Sequence, residues 1–108
     1  MPDILFRRIA CLETTDGAGD DDCAVYFQGE RLFREQMGKG SNRPIGDGSV
    51  LRHFEGGKTI YVKEIDESSG DDIIGTIFVS GAGDGEFRGD LHGDGSHYRL
   101  YYAVGGAP

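Results

Sequence analysis

The stretch HYRLYYAV, residues 97–104, decides the fold class because every second residue in it is apolar. Its alternating apolar set is Tyr98, Leu100, Tyr102 and Val104. Since successive side chains of a β-strand point to opposite faces, this alternation predicts a strand with one buried face. The stretch TIYVKEI at 59–65 repeats the pattern around Ile60 and Val62, so the alternation extends beyond one segment.

Similar short runs recur along the chain between glycine-rich breaks. The sequence has 19 glycines and 3 prolines in 108 residues, a composition that favours turns over long helices. Gln28-Gly29 is predicted to form a tight turn, and Gly56-Gly57 and residues 81–85 are predicted to be connections. We predict eight strands, at residues 4–13, 24–28, 30–36, 50–55, 59–65, 73–80, 86–92 and 97–104.

No stretch shows an apolar repeat of helical period, so the predicted fold is all-β, an antiparallel eight-stranded β-sandwich. The longest stretch predicted to be irregular is 37–49. We expect a single domain at residues 1–104, followed by a flexible tail at 105–108.

The net charge of −8 is concentrated in two short acidic segments. Residues 16–22 contain four aspartates and residues 64–72 contain five carboxylates, with no lysine or arginine in either segment. The rest of the chain is nearly neutral, with ten acidic and eleven basic residues. A chain with this charge and no basic stripe is not expected to bind nucleic acid.

Cys11 and Cys23 flank the first acidic segment. Two interpretations stay open: one disulfide across the base of the segment, or two buried thiols in a reducing compartment. The cysteines and the three histidines lack zinc-type spacing. The first residues lack a secretory signal, and no apolar run approaches the roughly 18 residues of a membrane span. We therefore expect a cytoplasmic location, with specialised export left open.

The second acidic segment begins where a predicted strand leaves the core. Glu64 and Asp66 share the parity of Ile60 and Val62, so the inward row of this strand changes from apolar to acidic. Like charges a few ångströms apart repel by roughly 1–4 kcal/mol, and a cation relieves that repulsion. Oxygen ligands in glycine-rich loops suit Ca²⁺, whereas Mg²⁺ prefers a rigid octahedron and zinc prefers His or Cys. An EF-hand loop does not fit either segment.

The spacing of the acids resembles that of the C2 domain, a calcium-dependent β-sandwich module. The first calcium loop of that family uses two aspartates six residues apart, the second directly before a strand. Its third loop uses acids at spacings of two and then six, followed by two residues and a glycine. The matching residues here are Asp16 and Asp22, then Glu64, Asp66 and Asp72, with Gly75 as the glycine. The resemblance covers residues 11–28 and 59–80.

This resemblance implies that the first and third loops lie side by side and bind calcium through carboxylates. The implied ligands are Asp16, Asp22, Glu64, Asp66 and Asp72, with Asp20 or Asp71 as substitutes. Calcium would stabilise the fold and regulate the binding of an unidentified protein partner. Docking on membrane phospholipid needs basic or apolar groups beside the ion. The loop tips at 17–19 and 67–70 carry no basic or aromatic residue, which argues against phospholipid as a partner.

Two non-catalytic alternatives remain. One is a metal-independent acidic domain for protein interaction or structure, whose acidic end repels wrong partners or binds a basic one. The other is a βγ-crystallin-like calcium-binding sandwich, which the stretch DESS at 66–69 approaches. We do not expect an enzyme, because the sequence lacks GxSxG, a P-loop and HExxH.

Overall fold

A computed structural model describes residues 2–15, 19–66, 70–80, 84–93 and 95–106, and it confirms the antiparallel β-sandwich. The described residues form nine strands. These are β1 Pro2–Glu13, β2 Asp21–Phe27, β3 Glu30–Met37, β4 Asn42–Pro44, β5 Val50–His53, β6 Lys58–Glu64, β7 Asp72–Val79, β8 Gly85–Leu91 and β9 His97–Gly106. The described residues contain no helix long and apolar enough to cross a membrane.

The strands are divided between two sheets. One sheet has the order β4-β1-β9-β8, with β5 also pairing with β1, and the other has the order β3-β2-β6-β7. The additional strand, β4, lies in the stretch 37–49 that was predicted to be irregular, and it pairs with β1 from Arg8 to Ala10. Strand β9 continues to Gly106, two residues past the predicted domain boundary, because Pro2 of β1 pairs with Gly106. Residues 107–108 lie outside the described residues.

The core lies between the sheets and is rich in aromatic residues. The Phe6 ring, from the five-stranded sheet, meets the Phe27 ring of the other sheet edge-on, with 5.4 Å between centroids. Phe54 packs edge-on against Phe27 at 5.8 Å. All three side chains are almost fully buried. Edge-to-face packing matches the charge distribution of aromatic rings, so these contacts hold the two sheets in a defined arrangement.

A β-bulge allows the long strand β1 to keep its apolar face inward. Ile4 and Phe6 are buried at even positions, whereas Ile9 and Cys11 are buried at odd positions. The register against β9 shifts between Phe6 and Arg8, which leaves Arg7 as the extra residue. Since an extra residue reverses the parity of a strand, the bulge explains how both halves of β1 face the same core.

The predicted turn at Gln28-Gly29 is confirmed. Phe27 pairs with Glu30, and the two residues between them have φ of 52° and 78°. Positive φ at both central positions is typical of the type I′ turn, whose twist matches that of the flanking strands. Gln28 also donates a 3.0 Å hydrogen bond from Nε2 to the His53 carbonyl oxygen.

Strand register brings the described parts of the two acidic segments to one end of the sandwich. Cys23 of β2 pairs with Glu64 of β6, and Glu64 pairs in turn with Asp72 of β7. One step further out, the Ile65 N–H donates a 2.8 Å hydrogen bond to the Asp22 carbonyl oxygen. We call this end the acidic pole and define it by residues 19–22, 64–66 and 70–72.

Candidate functional site

Asp21 is the buried carboxylate of the acidic pole. It opens β2 on the same parity as Cys23 and Val25, so its side chain points into the sandwich. The Tyr98 hydroxyl donates a 2.6 Å hydrogen bond to Oδ2. Thr15 donates from its backbone N–H to Oδ2 at 3.0 Å and from its hydroxyl to Oδ1 at 2.7 Å. A buried carboxylate needs such donors to offset its loss of water, and here both oxygens have them.

Tyr98 is fully buried and reaches this carboxylate from the opposite sheet. Burial, together with the hydrogen bond to Asp21, raises the pKa of the Tyr98 hydroxyl well above its usual value. The hydroxyl therefore keeps its proton and acts as a donor to Asp21. The Thr15 hydroxyl also lies 3.3 Å from Oε1 of Glu64, which links the buried group to the second acidic segment.

Asp22, a predicted calcium ligand, points to the outer face of the four-stranded sheet. Its two carboxylate oxygens accept hydrogen bonds of 3.0 and 2.7 Å from Nε and Nη2 of Arg34 on β3. This contact lowers the pKa of Asp22 below its usual value, chiefly through the hydrogen bonds from Arg34. Adjacent residues of a strand face opposite sides, so Asp21 and Asp22 are separated by the sheet. The Asp22 carboxylate is therefore already neutralised by a protein cation.

The other predicted ligands lie around the ends of β6 and β7. Glu64 ends β6 directly opposite Asp72, the first residue of β7. The Asp71 carboxylate accepts a 3.3 Å hydrogen bond from the Asp66 N–H, and the Gly70 N–H donates to the Asp66 carbonyl oxygen at 2.9 Å. These bonds hold Asp71 and Gly70 close to the Asp66 backbone.

The remaining predicted ligands belong to the first acidic segment. Asp20 is exposed and lies against Gly38, where an added Cβ would touch its carboxylate. Asp16 lies outside the described residues, as do 67–69 in the second segment. Within the described ranges, no three side chains of His, Cys, Asp or Glu gather closely enough to hold a metal ion. The donors present at the pole are oxygens, which suit Ca²⁺ rather than zinc.

Cys11 and Cys23 are buried free thiols, so the disulfide interpretation does not hold in this structure. Burial raises the pKa of both thiols, and for Cys23 the Asp21 carboxylate adds to the effect. Protonated, buried thiols act as small apolar groups in a core.

Asp21, the most buried polar group of the site, was not among the predicted ligands. Asp21 was counted only as one of four aspartates, because the predicted strand began at residue 24 and not at Asp21, where β2 begins. Its donors could not be identified from the sequence either. Thr15 lies six residues before Asp21, but Tyr98 lies 77 residues away along the chain.

Comparisons with known proteins identify the fold. No family model matches the sequence, and no curated protein matches it. A solved C2 domain superposes with a TM-score of 0.56 at 17% identity, over 97% of this chain and 98% of that chain. A structure of the two C2 domains of extended-synaptotagmin 2 superposes with a TM-score of 0.53 at 15% identity, over 96% of this chain.

This chain spans about two fifths of that synaptotagmin structure, with 39% of it covered. Both structures share the sandwich fold of this chain, in agreement with the resemblance to the C2 domain. The comparisons therefore favour a C2-like fold over the βγ-crystallin-like alternative. The chain is a C2-like β-sandwich.

Proposed function

We propose that this protein is a non-catalytic C2-like module that binds Ca²⁺ at its acidic pole. The observation that supports the proposal most directly is the register of β6 with its two neighbours. Because Glu64 pairs with both Cys23 and Asp72, carboxylates from distant parts of the chain are held at one end of the sandwich. Crowded carboxylates repel one another, and a divalent cation turns that cost into a gain in stability.

The residues offered to the ion differ in how firmly the protein holds them. Asp21 is the most firmly held carboxylate of the acidic pole, because Thr15 and Tyr98 donate hydrogen bonds to it. Glu64 ends β6, Asp66 follows it by two residues and Asp72 begins β7. Asp20, Asp71 and Asp16 are the further oxygen donors of the proposed set. Calcium accepts 6–8 oxygen ligands in flexible geometry, which suits donors carried on glycine-rich connections.

Asp22 belongs to the proposed ligand set only if calcium displaces Arg34 from its carboxylate. Its carboxylate is paired with Arg34, so calcium competes with this arginine for it. The Asp22 side chain is 23% exposed and that of Arg34 is 33% exposed, and partly exposed pairs of this kind contribute about 0–1 kcal/mol. A competitor of that strength lowers the calcium affinity without abolishing it.

Thermal unfolding of the purified protein tests the proposal. Calcium at a hundredfold excess over its dissociation constant adds about 2.7 kcal/mol to the free energy of unfolding, a rise of about 10 °C in Tm for a domain of this size. The double variant Asp66→Asn, Asp72→Asn should lose this rise. The matched control is Asp47→Asn in the β4–β5 connection, which should keep it.

Magnesium at the same concentration should give a much smaller rise, because it demands a rigid octahedron. An unchanged Tm in calcium and in chelator would remove the support for calcium binding.

The metal-independent interaction domain is the second candidate. It is favoured by the fact that Asp21 and Asp22 already have protein donors on both oxygens. In that case the pole would bind a basic partner with an affinity that falls as salt rises, with or without chelator.

A further inference from the structure

The outer face of the five-stranded sheet carries a groove at the end opposite the acidic pole. Strands β1, β5, β8 and β9 line the groove, and its volume is about 520 Å³. It lies where β1 and β8 begin and β9 ends, whereas Tyr98, near the start of β9, contacts Asp21 at the pole. At about 3.4 Å per residue along β9, the groove is about 20 Å from the pole.

Small side chains on β9 form the floor of the groove. Tyr102 and Val104 are buried on the core side, so Ala103 and Gly105 face outward. An added Cβ on Gly105 would meet nothing within 4 Å, so the space above the strand is open. Because β1 and β8 flank β9, their backbones are about 10 Å apart, which leaves room for one extended chain between their side chains.

The side of the groove formed by β1 and β5 is mainly apolar. Leu5 pairs with Ala103 of β9 and with Leu51 of β5, so the three side chains share the outer face. The Leu51 side chain is 56% exposed. Exposed apolar surface gains free energy when aliphatic groups cover it, and a concave patch of this kind is typical of a binding surface.

Three carboxylates border this apolar surface. Glu86 pairs with Ala103 across the β8–β9 ladder. Asp3 pairs with Gly105 across the β1–β9 ladder, and Asp84 directly precedes β8. Among the described residues that line the groove, none is a lysine or an arginine. The groove therefore complements a partner that is both aliphatic and cationic.

The carboxylates are accessible to such a partner. In the part of the chain that the structure describes, Asp84 has no ion-pair partner. Glu86 accepts hydrogen bonds of 2.7 and 2.8 Å from Arg7, and Nδ1 of His53 lies 3.1 Å from Oδ1 of Asp3. The side chains of these two pairs are 41–65% exposed. Ion pairs with this exposure are weak, so an incoming cation can share the carboxylates.

We propose that the groove binds an extended, lysine-rich segment of a partner protein. A lysine side chain combines an aliphatic stem with an ammonium group, so the stem covers Leu5 and Leu51 while the ammonium reaches a carboxylate. Glu86 and Asp3 lie beside residues 103 and 105, which are about 7 Å apart along β9. Alternate side chains of an extended chain have the same spacing, so lysines at alternate positions meet both carboxylates.

A nuclear magnetic resonance titration with the capped peptide Lys-Ser-Lys-Ser-Lys tests the proposal. Amide shifts should appear at residues 3–5, 51, 84–86 and 103–105 and not at the acidic pole. The double variant Asp84→Asn, Glu86→Gln should weaken binding by about fivefold or more. The matched control, Asp66→Asn, Asp72→Asn at the acidic pole, removes the same amount of charge and should keep the affinity.

Two further comparisons identify the ligand. The peptide affinity should be the same in calcium and in chelator, which separates this inference from the calcium proposal. Spermidine, a free polyamine with as many positive charges as the peptide, should bind about fivefold more weakly, because it lacks side chains of fixed spacing. Equal affinities would contradict a protein partner. Shifts confined to the acidic pole, or an unchanged affinity in the groove variant, would overturn the proposal.

Discussion

The Tyr98 hydroxyl donates a 2.6 Å hydrogen bond to the buried Asp21 carboxylate, and the two residues belong to opposite sheets. Strand β9 carries Tyr98 and strand β2 carries Asp21. The bond therefore ties the sheets together directly below the acidic pole. In a buried setting a hydrogen bond to a charged group is stronger than one between neutral groups, so this contact stabilises both the sandwich and the base of the proposed site.

Removing the Tyr98 hydroxyl should destabilise the fold. Tyr98→Phe keeps the ring but leaves Asp21 with Thr15 as its remaining described donor, so we expect a loss of about 1.5–3 kcal/mol. The shift of the urea midpoint, at unchanged m-value, measures the loss. The control is Tyr102→Phe, another buried tyrosine of β9, for which we expect a smaller change. Equal losses in the two variants would contradict the role given to Tyr98.

Removing Arg34 should separate the two roles of Asp22. In Arg34→Gln the Asp22 carboxylate loses its partner, which costs about 0–1 kcal/mol of stability because the pair is partly exposed. If Asp22 is a calcium ligand, the same variant binds calcium more tightly, because the competing cation is gone. Calorimetric titration with calcium measures this affinity. Arg31→Gln, on the same strand, is the control and should leave the affinity closer to its original value.

The stability of the protein should fall in acid partly through Asp90. Hydrogen bonds from Arg99 and His97 lower the pKa of Asp90 from its usual 3.8 to about 2. A carboxylate with a lowered folded-state pKa contributes stability above its unfolded pKa and loses it as pH falls toward the folded value. The free energy of unfolding of the Asp90→Asn variant should therefore fall less steeply as the pH is lowered from 3.8 to about 2. The effect is modest because the Asp90 side chain is 40% exposed.

Urea titrations at a series of acidic pH values measure the Asp90 effect. Glu55→Gln, which removes an exposed acid from the β5–β6 connection, is the control. A fall in Asp90→Asn as steep as that of the unmodified protein would argue against the contribution of Asp90.

Gly93 should tolerate no side chain. A Cβ at this position would overlap the backbone carbonyl oxygen of Ile74, which cannot move without shifting β7. Overpacking of this kind costs about 1–3 kcal/mol, so Gly93→Ala should lower Tm by several degrees. Gly105→Ala in β9 is the matched control, because nothing lies within 4 Å of its added Cβ. A Tm for Gly93→Ala equal to that of the control would show that the loop moves away freely.

The local pattern of the chain was sufficient for the fold class. Alternation at 97–104 and 59–65 reflects the two faces of a strand, and the turn at Gln28-Gly29 depends on four consecutive residues. Strand β4 escaped prediction because its three residues are all exposed and carry no apolar alternation. It forms only because the edge of β1 offers backbone partners to Asn42 and Arg43.

The sequence by itself determined the sandwich and the grouping of the acids, because strand period and charge can be read from neighbouring residues. Only the tertiary structure decided which acids face inward. Asp21 and Asp22 are adjacent, yet one is buried against Tyr98 and the other is paired with Arg34 on the outer face. Successive residues of a strand point to opposite faces of the sheet. Whether a face offers a polar partner depends on a strand that is distant in sequence.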